Sequence, residues 1–512
     1  MLADGFSGNS DTSGLLTRTS FWLDVRMSVD PRTPCLIGVA QHTVRAQPGP
    51  EPLDLWELVA REAAADAGAP GVLERLDSIQ VVYTDSWQYD DPAARLAERL
   101  AAEPRHRAYS RVSGTAPQML LGAAARRIAA GEMDAALVAG AEALATRRAL
   151  RKAGERVAWS HPAVPKPPYG WERPPHPAEL AHELFLPVHT YAIMETARRA
   201  ASHESLEEER AHRGRMMAPM TRVAAANPHA WHREVRTARE LVVPSEDNRL
   251  VGWPYTRRTV AVLEVDQAAA AILVATGLAD RLGVPLDKRV YLRGWAYAED
   301  TWEVAARPEP GSSPAMAAAA RRAFARAGVG LDDLGALDVY SCFAIALRSA
   351  CAAMGLDPLD GRGLTVTGGL PYAGGPASDY VLHSTAAMAG RLRAEPGHGL
   401  VTGVGMHLTK HTYAIWSTEP GGVLGDGEPV FTAEPVPIVA GYEGPATVAG
   451  YTVAHGRDGA AERGVVVADL PGGGRAHAHL RDPGLIAEAE SCELVGRKIR
   501  LRADGPVNVA TW

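Results

Sequence analysis

The chain has 512 residues, 46% of them hydrophobic and 22% charged, and a formal charge of −7 from 53 basic and 60 acidic residues. That length predicts about three domains, or two large ones, and no basic excess points to nucleic acid. Four scattered cysteines, Cys35, Cys342, Cys351 and Cys492, exclude a disulfide framework and a clustered cysteine zinc site. No run of about 18 apolar residues is present, so no membrane span is expected. The composition reads as a soluble cytoplasmic protein.

Residues 1–32 lack an apolar core and a small-residue cleavage site, so they do not read as a signal peptide. A disordered extension is expected there. From residue 35 strand and helix alternate: strand 35–41, amphipathic helix 53–68, strand 79–86, helix 93–102, small-residue helix Thr115–Ala130 and buried strand 134–144. Such alternation builds a mainly parallel sheet covered by helices. Residues 145–250 are rich in Pro, His, Trp and Arg with helical patches, as in an inserted loop domain. Strand pattern resumes over 259–276.

From Arg289 the first pattern recurs. Strand 291–300, helix 313–328, strand 336–343, helix Ser378–Leu392 and glycine-rich strand 398–406 match the first half in order. This predicts an internally duplicated α/β fold. After Pro420 come five short β-rich pieces, 446–455, 463–470, 475–480, 492–502 and 507–512. They predict a small closed barrel of OB type. Its aromatic platforms and basic groove are thin, which favours a packing or protein-interaction module over oligonucleotide binding.

Four segments at strand ends carry unusual loops: Arg111–Gln118, Tyr340–Phe343, Gly368–Pro376 and the strand around Gly403 and Gly405. With the duplicated pattern they resemble the thiolase superfamily, in the branch of sterol-carrier-type thiolases and thiolase-like proteins called acetyl-CoA acetyltransferases. The runs NPHAW, EDNRLVGWPYT, DVYSCF, TVTGGLPYAGGP and LVTGVGMHLTKH carry the likeness. It covers roughly residues 33–418, and the branch's extra C-terminal domain fits 421–512. The resemblance implies a five-layered αβαβα fold. The first half would comprise 33–144 and 251–280, the loop-domain insertion 145–250 and the second half 281–418.

Thiolases use a cysteine nucleophile at a helix N-terminus, a histidine, two oxyanion holes and a second cysteine for proton transfer. By resemblance the nucleophile slot is Ser113, followed by Gly114. Ser113 reads as an oxygen nucleophile, a hydrogen-bond donor or simply an N-cap serine. The histidine slot is Gly375, and the acid/base cysteine motif falls at Val401-Thr402-Gly403. His407 and His411 follow as ordinary strand residues or as replacements. Tyr340 takes the oxyanion-hole slot, where a phenol can donate to an enolate or exchange a proton. Cys342 reads as a stand-in nucleophile or as a packed small residue, and Tyr372 as a second phenol at the cavity or as loop packing. Gly368 and Gly369 would let the backbone approach a ligand.

The resemblance further implies a coenzyme A thioester as substrate or ligand, with Trp253, Tyr255 and Arg257 among its contacts. No tightly bound cofactor, no metal and a homodimer are expected. Three functions follow: thiolase-type acyl transfer in lipid metabolism through an altered site, retro-aldol carbon–carbon cleavage by tyrosines, or non-catalytic binding of coenzyme A esters.

Overall fold

Alanine-rich stretches that open on proline form most helices, and continuous apolar runs form the strands. The structure, a computed structural model, describes residues 29–165, 172, 174–431 and 433–512. In the first half β1 (Pro34–Thr43), α1 (Pro52–Asp66), β2 (Ser78–Val81), α2 (Pro92–Leu100), β3 (His106–Tyr109), α3 (Ala116–Ala129) and β4 (Ala135–Ala143) follow in order. Proline at the first turn of α1, α2 and α3 sets φ where its missing N–H has no partner to lose.

The insertion holds α4 (Leu144–Ala153), α5 (Pro177–Ala181), α6 (Pro187–Ala201), α7 (Leu206–Ala226) and α8 (Ala238–Val242). It returns through β5 (Leu250–Gly252) and β6 (Tyr255–Thr256) to β7 (Asp266–Ala275) and α9 (Thr276–Arg281). The second half runs β8 (Tyr291–Glu299), α10 (Pro314–Ala327), β9 (Leu334–Asp338), α11 (Ala344–Met354), α12 (Tyr380–Ala394), β10 (His398–Gly405) and β11 (Lys410–Ser417).

The duplication is written in the sheets. The first has the order β3-β2-β4-β7-β1 and the second β9-β10-β11-β8. β2–β4 and β9–β10 are parallel, while β4–β7, β7–β1, β10–β11 and β11–β8 are antiparallel. The second sheet therefore repeats the first without a counterpart of β3. α3 and α12 lie between the sheets and touch both, α1 and α2 cover the first, and α10 covers the second beside α11. These are the five layers expected.

Beyond them β12 (Gly444–His455), β13 (Ala461–Asp469), β14 (Arg475–Leu480), α13 (Pro483–Ser491), β15 (Lys498–Asp504) and β16 (Val507–Thr511) form a closed five-stranded barrel. β12 pairs with both β13 and β15, and β14 runs parallel to β16. This connectivity is OB-like. The barrel has its own core, which includes Val448, Tyr451, Val466 and Leu480. It packs on α6 through β12.

Several expected boundaries move. The strands expected over 79–86 and 336–343 stop at Val81 and Asp338, because their last residues form site loops. The strand expected over 259–276 begins only at Asp266. The piece 492–502 splits, with Cys492 capping α13 and the strand starting at Lys498. His407 lies in the turn before β11, whereas His411 lies within it. Most of the expected N-terminal extension, 1–28, lies outside the described residues. Arg32 donates to the carbonyls of Ile128 and Met133 and pairs with Asp134.

Candidate functional site

Ser113 stands in the turn that leads into α3. Its Oγ lies 2.7 Å from Thr115 Oγ1 and accepts from Thr115 N at 3.2 Å. Its own N–H donates to Ser378 Oγ at 3.0 Å. The hydroxyl thus closes the turn, with no imidazole or carboxylate bonded to it among the described residues. A serine oxygen needs such a base to attack a thioester. Gly375 leaves the histidine slot without a side chain, and its N–H donates to Val262 O at 2.8 Å.

The end of β10 presses on this turn. A Cβ on Gly405 would collide with Ser113 Oγ, and one on Gly403 would sit 3.2 Å from Gly114 O. A Cβ on Gly114 would collide with Val404 O and Tyr340 Oη. Ser113, Gly114, Gly403, Gly405 and Tyr340 therefore meet at one place.

Tyr340 is held there by its N–H on Thr402 Oγ1 (2.8 Å) and by edge-on contact with Tyr380. Its hydroxyl makes no hydrogen bond among the described residues. Burial, with Cys342 beside it, pushes the phenol well above its ordinary value. Tyr340 is accordingly a neutral donor at physiological pH. Tyr372 Oη is buried and without a partner among the described residues, and burial raises its pKa as well. Its backbone is fixed, with N–H to Gly369 O and the carbonyl accepting from His232.

Cys342 does not look like a nucleophile. Burial pushes its thiol up to about 12 despite a hydrogen bond with Tyr191, and only the thiolate attacks. It packs below Tyr191, whose ring stacks on Phe343 at 4.3 Å.

Gly368 and Gly369 have φ of 109° and 82°. A Cβ on either would collide with Ala224 or Met220 of α7. The loop is shaped by a residue that sequence reading passed over. Asp338 Oδ2 accepts from Thr365 Oγ1, Val366 N, Thr367 N and Thr367 Oγ1 at 2.9–3.1 Å, and Oδ1 accepts from Ser384 Oγ at 2.7 Å. An aspartate ending a strand ahead of a Thr-Val-Thr loop was the available signal.

A second omission is the buried pair Asp379 and His383 at the start of α12. The His383 Nε2 lies 3.4 Å from Asp379 Oδ2, yet neither group makes a well-aligned hydrogen bond through these atoms. Burial lowers His383 to about 3 and raises Asp379 well above the usual carboxylate range. A small cavity of about 10 Å³ lies here, lined in part by Gln41, Asn227, His229, Gln267, Gly374 and His383. It has room for a single water.

The expected coenzyme A contacts separate. Trp253 is buried in the barrel core, stacked on Tyr451. Tyr255 is buried and donates to Glu195 Oε2 at 2.6 Å. Neither presents a surface to a ligand; Arg257 is exposed. An open groove of about 370 Å³ along α7 offers another surface, with Arg215, Arg222 and Arg236 around Pro219. His407 lies 2.6 Å from Thr190 Oγ1, and His411 holds Asp300 at 3.0 Å. Both brace loops. Among the described residues no cluster of three metal-ligating side chains occurs, and no helix is long and apolar enough to cross a membrane.

Known proteins bear out the fold. Residues 428–506 match the family model for the thiolase-like protein type 1 additional C-terminal domain. No curated protein matches the chain by sequence. Human mitochondrial 3-ketoacyl-CoA thiolase is similar in fold, at 15% identity and TM-score 0.56 over 76% of this chain and all of that one. So is a structure described as an Ltp2-ChsH2(DUF35) aldolase, at 17% identity and TM-score 0.58 over 76% of this chain and 98% of that one. A monomeric SCP2-thiolase-like protein type 1 from Mycobacterium smegmatis is 30% identical, with TM-score 0.82, over 94% of this chain and 99% of that one. Barrel included, the chain belongs to the SCP2-thiolase-like protein type 1 family.

Proposed function

We propose that this chain binds a coenzyme A thioester at the Ser113–Tyr340 turn and cleaves a carbon–carbon bond of its acyl group without forming an acyl-enzyme. One observation carries the reading: the nucleophile slot holds a hydroxyl committed to Thr115 and the histidine slot holds Gly375, while the Tyr340 phenol stands over the same turn. Acyl transfer through Ser113 would need a base that this site does not supply.

The reaction is a retro-aldol cleavage of a β-hydroxyacyl thioester. The β-hydroxyl loses its proton, the Cα–Cβ bond breaks, and its electron pair becomes the enolate of the shortened thioester. The β-carbon leaves as a ketone or aldehyde, and the enolate is protonated at Cα. Tyr340 donates a hydrogen bond to the thioester oxygen as it gains charge, a role suited to a neutral buried phenol. Tyr372 exchanges the proton of the β-oxygen. Because burial raises its pKa, its ionised form is scarce at neutral pH, and turnover should climb with pH through the neutral range. The arginine groove along α7 is the surface we assign to the phosphates of coenzyme A. The aldolase similar in fold supports this chemistry by likeness alone.

By the same kind of likeness we propose a monomer in place of the expected homodimer, the Mycobacterium relative being described as monomeric. The test is a panel of β-hydroxyacyl thioesters. Release of a carbonyl product that Tyr340→Phe reduces about 100-fold supports the reading. Saturable binding with no turnover across the panel would leave a binding protein instead.

A further inference from the structure

A larger cavity, of about 520 Å³, lies away from the Ser113 turn, between the last turn of α6, the loop 308–312 and the barrel. Its size falls in the ordinary range for small-molecule sites. Thr447, Val448 and Ala449 of β12 form one wall, and Arg198, Ala201 and Ser202 form the other.

The charges in this groove do not balance locally. Arg475 is fully used: it binds Asp469 and donates to the carbonyls of Ala305, Arg307 and Pro308. Arg348, behind the groove, is paired with Glu195 and Glu204. Arg198 is different. Among the described residues its guanidinium makes no hydrogen bond and no ion pair, and its Nε is fully buried. Glu309, on the 308–312 loop, is exposed and accepts from Ser312. Lys498, outside the lining, donates to Thr447 Oγ1 at 2.9 Å.

We propose that this groove is a second ligand site, which takes a small molecule bearing a carboxylate or phosphate group on the Arg198 guanidinium. A guanidinium whose terminal nitrogens have no acceptor among the described residues is a donor set that an oxyanion can satisfy. The guanidinium fork matches either anion in a two-point bond. Burial and the neighbouring Arg348 charge together outweigh the attraction of Glu195 and Glu204 and lower the Arg198 pKa, which favours an added anion. Bound there, the ligand touches both the layered body and the barrel, and so ties the two together. It also sits about two helical turns along α6 from Tyr191, the residue that stacks beside Cys342.

The test is titration calorimetry on the full chain, with inorganic phosphate and succinate as probes. One probe or the other should bind saturably, and which binds more tightly separates a phosphate ester from a carboxylate. Arg198→Gln should weaken that binding at least tenfold, and Arg198→Lys, which keeps charge but loses the fork, several-fold. Ala201→Leu, which fills the groove without touching the charge, should weaken it too. Unchanged affinity in Arg198→Gln and Ala201→Leu overturns the proposal. So does the absence of saturable binding by either probe up to about 10 mM, beyond the weak end of specific sites. Binding here is independent of turnover at Tyr340, so the two readings fail separately.

Discussion

Residues 101–115, between α2 and α3 in the first half, make β3 and the short Ser113 turn. Their counterparts in the second half, residues 355–379, make no strand. They fold instead into the loop that carries Gly368, Gly369, Tyr372 and Gly375. Each half also ties one loop with a buried carboxylate, residues 84–86 in the first half and 365–367 in the second. Glu142 accepts from Thr84 Oγ1, Asp85 N and Ser86 N, and Asp338 accepts from Thr365, Val366, Thr367 and Ser384. The same stretch of a duplicated scaffold thus carries a strand and the Ser113 turn in one half and, at the position of the missing strand, the longer glycine loop in the other.

This contrast can be broken by substitution. Asp338→Ala removes the shared acceptor of two backbone N–H groups and four hydroxyls, and should cost about 4 kcal/mol in chemical denaturation. Glu142→Gln should cost about 1–2 kcal/mol, since burial already raises that carboxyl to about 7 and an amide keeps one acceptor. Equal losses would remove the distinction between the two loops.

The barrel gives a pH test of its docking. His182 meets His477 and His479 with ring centroids 5.4 and 5.1 Å apart. Burial lowers His477 to about 3 and His182 to about 4. Both folded values lie below the unfolded 6.5, so the unfolded chain binds more protons below that pH. Stability is therefore complete above pH 6.5 and falls on acidification, by roughly 2 kcal/mol per pH unit for the pair near pH 5. His477→Phe should flatten that slope in thermal melts between pH 7 and 5; an unchanged slope contradicts the assignment.

Two smaller effects separate turn-closing groups from working ones. Ser113→Ala should lose about 1 kcal/mol of stability, because the Thr115 N–H loses its acceptor, and should leave turnover unaltered. Tyr372→Phe should do the reverse. It removes a buried unpaired hydroxyl and gains up to about 1 kcal/mol in thermal stability, while turnover falls.

Much of this was legible in the sequence. The repeated order of apolar strands and alanine-rich helices is a local pattern, and it gave the layers and the barrel. The Ser113, Tyr340 and Gly375 slots come from the resemblance to thiolase motifs, not from the residues' spacing alone. What stayed hidden depends on contacts between distant segments. The Asp338 hydrogen bonds reach across the chain to Ser384, and the Asp379–His383 pair has meaning only because both sides of α12 are buried. The resemblance suggests Trp253 and Tyr255 as ligand contacts; their burial, Trp253 against Tyr451 of the barrel and Tyr255 against Glu195 of α6, depends on segments far away in the chain. The orphaned guanidinium of Arg198 has no signature at all in a run of two arginines.

The most direct measurement of the central claim is mass spectrometry of the full chain with a β-hydroxyacyl coenzyme A thioester, following the protein and the small products together. The account predicts a shortened thioester and a carbonyl compound in equal amounts, an unmodified Ser113, and loss of both products in Tyr340→Phe. An acyl group covalently attached at Ser113, with turnover lost in Ser113→Ala, would contradict it.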